Sequence, residues 1–192
     1  MPNLLLVDYL QRSKAQYNVF NISPACTAEE SARLGRIPLR RFAKVVMARI
    51  DSELVMVVIP AHYHLVPLAL RDELKAGSVE LAAERDFQRR FPRCELGAMP
   101  PFGHLFGLRA LWVKGFEEFG DIFCKAGTHS EILRMPFFEF QRLAHLEPIE
   151  RGASIRLRNP THSHLQRLLR LARQQTVSVQ PPLLSRSETI TG

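Results

Sequence analysis

The strongest constraint on this 192-residue chain is a pair of apolar runs, "RFAKVVMARI" at residues 41–50 and "ELVMVVIP" at residues 53–60. Both runs are rich in β-branched residues, which favour extended strands. Only Asp51 and Ser52 separate them, and a two-residue polar connection between such runs is typical of a tight hairpin. The sequence therefore predicts a β-hairpin, and any fold of this chain must contain a sheet built around it.

The other segments alternate between helical and strand patterns. Apolar residues near helical spacing predict a helix over residues 4–16, and a short strand is expected around residues 19–22. Thr27 lies three residues before Glu30, a capping pattern that predicts a helix starting after Thr27. Further helices are predicted for "LALRDEL" after Pro67, "AERDFQRRF" and "PFFEFQRLAHL", and further strands for "SVEL", "RALWV", "DIFCKA" and "SEILRM". This interleaved order predicts an α/β (α+β) domain.

Lys44 is the one charged residue on its face of the first hairpin strand. Period-two alternation places it with Phe42, Val46, Ala48 and Ile50, all of which are apolar. An ammonium group there must reach water, meet an anion or lie in a polar cavity. Two interpretations stand at this point: a lysine whose stem carries its charge out to solvent, and a lysine that binds an anionic ligand.

Four arginines precede this strand closely in sequence: Arg33, Arg36, Arg40 and Arg41. Guanidinium groups bind phosphate oxygens well, although such a cluster is also typical of a solvated surface. The formal net charge of the chain is +7, which fits a polyanionic partner without establishing one. The four arginines are therefore candidates for phosphate binding.

The stretch "GAMPPFG", residues 97–103, combines the most flexible residue type with the stiffest. Pro100 and Pro101 fix φ and donate no backbone hydrogen bond. Gly97 and Gly103 can adopt positive φ and allow another group to approach the backbone closely. This composition suits a rigid wall beside a ligand, and a plain connector could be built in the same way.

A second loop, "AGTHSE" at residues 126–131, separates two predicted strands. Gly127 and Thr128 would expose backbone N–H groups there, and His129 would add an imidazole. The alternative is a simple hairpin turn.

Several classes of protein are disfavoured by what the sequence contains. Its three cysteines are odd in number and widely spaced, which indicates neither a disulfide framework nor a zinc site and fits a reducing cytoplasm. Apolar runs are too short to span a membrane, and no Walker loop, nucleophile elbow or H-E-x-x-H motif occurs. His62 with His64 is a weak metal candidate, and Cys124 with His129 a weak thiol nucleophile. We expect no metal and no cofactor.

The composition changes near the end of the chain. Residues 151–186 contain seven arginines, and the first acidic residue after Glu150 is Glu188. We predict a main domain over residues 1–147 and a basic extension over residues 148–192, with a short helix followed by a tail of disordered composition. The helix could pack on the domain with its arginines solvated, or bind nucleic acid or a protein partner.

Three of these motifs occur in an order that resembles the YbaK and prolyl-tRNA synthetase-associated editing-domain family. They are the strand lysine Lys44, the Gly-x-x-x-Pro pattern formed by Gly97 and Pro101, and the late Gly-x-His turn that ends at His129. The resemblance covers about residues 1–147. It implies a mixed, strongly curved or barrel-like β-sheet flanked by helices, as in that family.

The resemblance also implies a function, namely hydrolysis of the ester that joins a wrongly attached small amino acid to tRNA. Catalysis would be assisted by a hydroxyl of the substrate's terminal adenosine, and the partners would be the 3′ end of mischarged tRNA and a synthetase, without DNA or a membrane. Lys44, Gly97 and His129 would be catalytic, and Arg33, Arg36, Arg40 and Arg41 would bind tRNA. The pocket would be formed by Ala98, Met99, Pro100, Pro101, Phe102, Gly103, Gly127 and Thr128. The alternative is a non-catalytic module that binds the tRNA end or a synthetase.

Overall fold

A computed structural model describes residues 2–116 and 120–155 of the chain. Its centre is the predicted hairpin, formed by strands β2 (Phe42–Ile50) and β3 (Glu53–Pro60). The two strands pair antiparallel from Ala43 opposite Pro60 to Ile50 opposite Glu53. Asp51 adopts a φ of 53° between them, as a tight turn of this kind requires.

Helices and further strands follow in the predicted interleaved order. The helices among the described residues are α1 (Leu4–Arg12), α2 (Ala28–Leu34), α3 (Pro67–Leu74), α4 (Glu84–Phe87) and α5 (Phe137–Ala144). The other strands are β1 (Asn18–Asn21), β4 (Tyr63–Leu65), β5 (Val79–Leu81), β6 (Arg109–Val113), β7 (Asp121–Lys125), β8 (Glu131–Pro136), β9 (Glu147–Ile149) and β10 (Ala153–Ile155). Short 3-10 turns occur at Leu39–Arg41, Gln88–Arg90 and Gly103–Phe106.

Eight of these strands form one mixed sheet with the order β1-β8-β7-β2-β3-β6-β9, in which β5 also pairs with β2. Strand β7 runs parallel to β2, with Phe42 beside Phe123 and Ala43 beside Cys124. Strand β6 likewise runs parallel to β3. The predicted fold class, a mixed sheet flanked by helices, is confirmed. The parallel pairing of β2 with β7 brings a strand that follows residue 120 directly against the Lys44 strand.

The alternation predicted for β2 is also present, and both faces of the strand are buried. Ala43 and Met47 pack into the largest apolar cluster, while Ala48 and Ile50 pack into a second cluster on the opposite face. Lys44 therefore emerges from a strand that is largely enclosed by apolar groups.

The structure departs from the predicted boundaries at both ends of the domain. Helix α1 ends at Arg12 rather than at residue 16, since Lys14 has a φ of 50° and the chain turns away. Strands β9 and β10, which the sequence pattern did not indicate, pair with β6 and β4. The predicted basic helix and tail lie outside the described residues. In residues 2–116 and 120–155, no helix is long and apolar enough to cross a membrane.

Candidate active site

A cavity of about 210 Å³ lies where the first turn of α2, the start of β2, the loop 97–103 and the end of β7 meet. Four separate segments of the sequence contribute to its wall. The lining residues are Cys26, Thr27, Ala28, Glu29, Phe42, Ala43, Lys44, Val45, Gly97, Met99 and Lys125. The first turn of α2 is fixed by the predicted cap, in which the Thr27 hydroxyl accepts a hydrogen bond from the Glu30 N–H at 3.1 Å. The predicted residues Lys44, Gly97 and Met99 thus share one concave site.

Lys44 is held at the wall of this cavity by two neighbours. Its Nζ donates to Glu29 Oε1 at 3.1 Å and to the Ala61 carbonyl at 3.0 Å. The Lys44 side chain is 20% exposed and that of Glu29 is 42% exposed. An ammonium group has three N–H donors, so one donor remains for a ligand.

Lys125 is a second cation in the same wall, and our sequence analysis missed it. The parallel pairing of Ala43 with Cys124, extended by one residue, places Lys125 beside Lys44. Lys125 is only 4% exposed, and burial lowers the pKa of its ammonium group below the ordinary value. Strand alternation did not make Lys125 conspicuous, because Lys125 shares its face of "DIFCK" with Asp121 as well as Phe123. The cavity is therefore lined by two lysines on adjacent strands, which favours an anionic or strongly polar ligand.

The first half of the loop 97–103 forms one side of the cavity. Gly97 has a φ of 80°, the left-handed region that its type was predicted to allow. The Ala98 N–H donates to the Glu95 carbonyl at 2.9 Å, which closes a turn. Within the described part of the chain, the N–H groups of Gly97 and Met99 donate to no acceptor. These two donors are available to a bound ligand.

The second half of the predicted pocket wall supports the loop from behind and does not line the cavity. Pro100 and Pro101 are buried, and Phe102 is fully buried in the largest apolar cluster. Gly103 lies so close to strand β6 that an added Cβ would be 2.8 Å from Ala110 Cβ. The positions predicted as pocket at 100–103 are thus packing positions.

The turn at residues 126–131 is tied to the loop by backbone hydrogen bonds. The Gly127 N–H donates to the Ala98 carbonyl at 3.1 Å, and the Gly127 carbonyl accepts from the Glu95 N–H at 2.9 Å. The His129 N–H donates to Glu95 Oε2 at 2.5 Å. Of the two N–H groups expected to be exposed in this turn, those of Gly127 and Thr128, the first is therefore occupied, and so is the N–H group of His129. They fix the position of the loop.

The side chains of this turn have different surroundings. Thr128 Oγ1 donates to Glu131 Oε2 at 2.7 Å, a contact within the turn and away from the cavity wall. His129 lies behind Gly97: a Cβ added at Gly97 would be 3.8 Å from His129 Cε1. The structure thus brings His129, but not Thr128, to the edge of the site.

The four arginines are close in sequence to the lining residues Glu29 and Phe42, but none of them lines the cavity. Arg33, Arg36 and Arg40 are exposed at the end of α2 and the start of the 3-10 turn that precedes β2. Arg41 is partly buried, and its guanidinium approaches Gly120, where an added Cβ would be 3.3 Å from Nη1.

The weaker chemical candidates are not supported by their surroundings. Cys124 is 2% exposed, and burial raises the pKa of its thiol, so the nucleophilic thiolate is disfavoured. In the part of the chain that the structure describes, no three His, Cys, Asp or Glu side chains are arranged to hold a metal ion. His62 and His64 accordingly have no third ligand there.

The fold and the site define a mixed α/β domain with a lysine-lined cavity, and comparison with known families gives the particular family. The family model "Aminoacyl-tRNA editing domain" matches residues 22–143, more than half of the chain. The chain belongs to this family. No curated protein sequence matches it significantly.

Solved structures show the same fold at low sequence identity. A protein described as a candidate trans-editing enzyme for prolyl tRNA synthetase has a TM-score of 0.65 and 16% identity, over 77% of this chain and 94% of its own. A hypothetical protein has a TM-score of 0.65 and 14% identity, over 78% of this chain and 99% of its own. A candidate signal transduction protein from Marinobacter aquaeolei VT8 matches at a TM-score of 0.60 and 17% identity, over 94% of this chain but 38% of its own. The family supports an editing role, and these neighbours show that its fold is the one described above.

Proposed function

We propose that this protein is an aminoacyl-tRNA deacylase that removes a small, wrongly attached amino acid from tRNA. The observation that carries the proposal is one cavity lined by Lys44, Gly97 and Met99, in which the N–H groups of the two loop residues have no acceptor among the described residues. A cation and two unused backbone donors from distant segments of the sequence are the kinds of group that stabilise a developing oxyanion. Membership of the editing-domain family supplies the substrate class. This role requires access to tRNA, so we expect a cytoplasmic protein, with a synthetase as a further partner.

The proposed reaction is hydrolysis of one ester bond. Water attacks the aminoacyl carbonyl, the bond to the ribose oxygen breaks, and a proton passes to that oxygen. Among the described residues that line the cavity, Glu29 is the one carboxylate, and it is paired with Lys44. With this carboxylate engaged, the vicinal hydroxyl of the terminal adenosine is the group proposed to activate water. Lys44 would hold the terminal phosphate or polarise the ester, and Gly97 and Met99 would donate to the carbonyl oxygen.

The size of the cavity supports a small aminoacyl group. A cavity of about 150 Å³ holds the six carbon atoms of benzene, so about 210 Å³ holds roughly eight heavy atoms by the same ratio. The amino group, Cα and ester of the aminoacyl moiety occupy about five of these places if they also lie in the cavity, which leaves room for a small side chain. Met99, which is 6% exposed, and Val45 both line the cavity and limit the space inside it. Discrimination among small side chains by such a pocket is worth about 1–3 kcal/mol per methylene. Large aminoacyl groups would be excluded sterically.

The test is a panel of mischarged tRNAs incubated with the wild type and with Lys44→Ala. We expect Lys44→Ala to lower the deacylation rate of the preferred small aminoacyl ester by about 10²–10³-fold, the usual cost of removing a main electrostatic contact. Lys75→Ala, at an exposed lysine outside the cavity, is the matched control and should keep the wild-type rate.

Two results would contradict the proposal: no ester is hydrolysed faster than in buffer, or Lys44→Ala is as active as the wild type. Salt-sensitive tRNA binding without any turnover would instead favour the non-catalytic tRNA-end module, since phosphate contacts release counterions with or without chemistry.

A further inference from the structure

Lys125, which lines the cavity, is in contact with His129, and the proposed reaction gives this contact no role. Lys125 Nζ lies 3.1 Å from His129 Nδ1, 2.8 Å from the Ala25 carbonyl oxygen and 3.1 Å from the Cys26 carbonyl oxygen. Two of these partners are carbonyl acceptors, and the role of Nδ1 depends on which ring nitrogen of His129 carries the proton. The three contacts equal in number the three N–H donors of one ammonium group, although Lys125 is only 4% exposed.

The contact restricts which nitrogen of His129 carries the proton. An ammonium group can only donate hydrogen bonds, so a nitrogen that contacts it must accept. Burial is the largest influence on Lys125 and lowers its pKa, while the neighbouring Cys26, Glu95 and Glu30 act in the opposite direction. The two carbonyl acceptors favour the ammonium form, because they accept N–H donors and offer none. Nδ1 of His129 is then the unprotonated nitrogen, and the ring proton is on Nε2.

We propose that Lys125 is a positioning residue that fixes His129 as the Nε2–H tautomer, so that His129 donates a hydrogen bond to the acylated ribose rather than acting as a base. The tautomer follows from the contacts of Lys125, while the donation to the ribose rests on the proposed deacylase function.

The surroundings of Nε2 leave its N–H available. The nearest carboxylate oxygen, Glu95 Oε2, is 4.0 Å away, beyond hydrogen-bond distance, and the His129 side chain is 25% exposed. The ring edge at Cε1, which joins the two nitrogens, lies behind Gly97 of the cavity wall. His129 is not itself a lining residue, but it neighbours two that are, Gly97 and Lys125. The proposal places the ribose of the substrate against this partly exposed ring while the aminoacyl group occupies the cavity.

The first experiment reads the tautomer directly. Nitrogen-15 spectra of histidine-labelled protein distinguish protonated from unprotonated ring nitrogens, and His129→Gln identifies the His129 signals by their loss. In the wild type we expect an unprotonated Nδ1 and a protonated Nε2. In Lys125→Met the signals should shift toward a mixture of both tautomers, while Lys75→Met should leave them unchanged. A proton on Nδ1 in the wild type, or an unchanged spectrum in Lys125→Met, would overturn the proposal.

The second experiment keeps Lys125 intact, because the loss of a buried lysine could also impair folding. The amide nitrogen of Gln reaches about as far as Nε2, whereas that of Asn reaches only as far as Nδ1. His129→Gln should therefore retain more of the deacylation rate than His129→Asn, and the difference should be roughly 2- to 10-fold, the effect of one hydrogen bond between neutral groups. The reverse order would overturn the proposed donation. If the wild type hydrolyses no ester, the proposed function fails, and the spectrum alone decides whether Lys125 fixes the tautomer.

Discussion

Gly97 is the residue at which backbone conformation and cavity shape depend on each other. Its φ of 80° is unfavourable for any residue with a Cβ. An added Cβ would also be 3.7 Å from the Cys26 carbonyl oxygen and 3.8 Å from His129 Cε1. These are ordinary contact distances, so the methyl group would fit without a clash but would occupy space at the cavity.

Gly97→Ala should therefore impair deacylation more than folding. Gly107→Ala is the matched control, because Gly107 has a φ of 64°, lies outside the cavity wall and has its nearest neighbour 3.9 Å from an added Cβ. We expect both variants to lower the free energy of unfolding by about 1–2 kcal/mol, the cost of a left-handed L-residue. Only Gly97→Ala should also slow deacylation, by about 10–100-fold through displacement of the reacting groups.

Denaturant unfolding and single-turnover deacylation measure the two effects. If both variants lost stability and activity in equal proportion, the loop 97–103 would have a structural role alone.

Some residues of the site could be identified from the sequence, and others could not. Lys44 was recognisable because strand alternation makes one charge on an apolar face conspicuous. Lys125 was not, because Asp121 shares its face of the strand and because its pairing beside Lys44 is a long-range feature. The packing role of Phe102 and Gly103 could not be predicted, because the local pattern of a Pro- and Gly-rich loop does not indicate which half faces the core. Which half of the loop faces the core depends on where α5 and β6 lie in the folded domain.

Two histidines join the 3-10 turn Gly103–Phe106 to the end of α5. The rings of His104 and His145 stack with centroids 4.3 Å apart, and Tyr9 packs edge-on against His104 at 4.9 Å. Both nitrogens of His104 are shielded from solvent. Burial, followed by the neighbouring His145, lowers the pKa of His104 below its ordinary value of 6.5.

This pair should make the fold sensitive to acid. Since the folded pKa of His104 is depressed, the unfolded chain binds more protons between that pKa and 6.5, and stability falls as the pH drops through this range. His104→Phe keeps a ring against Tyr9 and His145 but removes the ionisable group. We expect the free energy of unfolding of this variant to fall less steeply below pH 6.5 than that of the wild type.

Urea unfolding at several pH values checks this expectation, with His64→Gln, at an exposed histidine, as the control. Parallel pH profiles for the wild type and His104→Phe would show that the pair has no such effect.

Element boundaries were predictable where local signals are strong. The Thr27 cap and the first-turn Pro67 fix the starts of α2 and α3 locally. Strands β9 and β10 have three residues each and exist because β6 and β4 offer free edges to pair with. No local pattern in so short a segment can reveal such long-range pairing.

At the scale of the whole molecule, the site depends on a topological feature, the parallel pairing of β2 with β7. It places residues that are far apart in sequence on adjacent strands, so that the two lysines share one cavity. The exposed arginines Arg33, Arg36 and Arg40 lie on the segment that leads into β2. A tRNA whose acylated end enters the cavity would bring its acceptor phosphates near this segment.

The exposed arginines of this segment should contribute to the affinity for tRNA. Replacing Arg33, Arg36 and Arg40 together by Gln should weaken tRNA binding and reduce the slope of log K against log salt concentration by about 1 for each phosphate that the variant no longer neutralises. The deacylation rate of bound substrate should stay near that of the wild type, because none of the three lines the cavity.

The control replaces Arg12, Arg71 and Arg85, on α1, α3 and α4, and so removes the same net charge elsewhere. Binding titrations over a range of salt concentrations, with all variants in the full-length chain, leave the contribution of the basic extension constant. If affinity and salt slope fell to the same extent in the control variant, tRNA would respond to net charge alone, and the proposed tRNA-binding role of Arg33, Arg36 and Arg40 would be wrong.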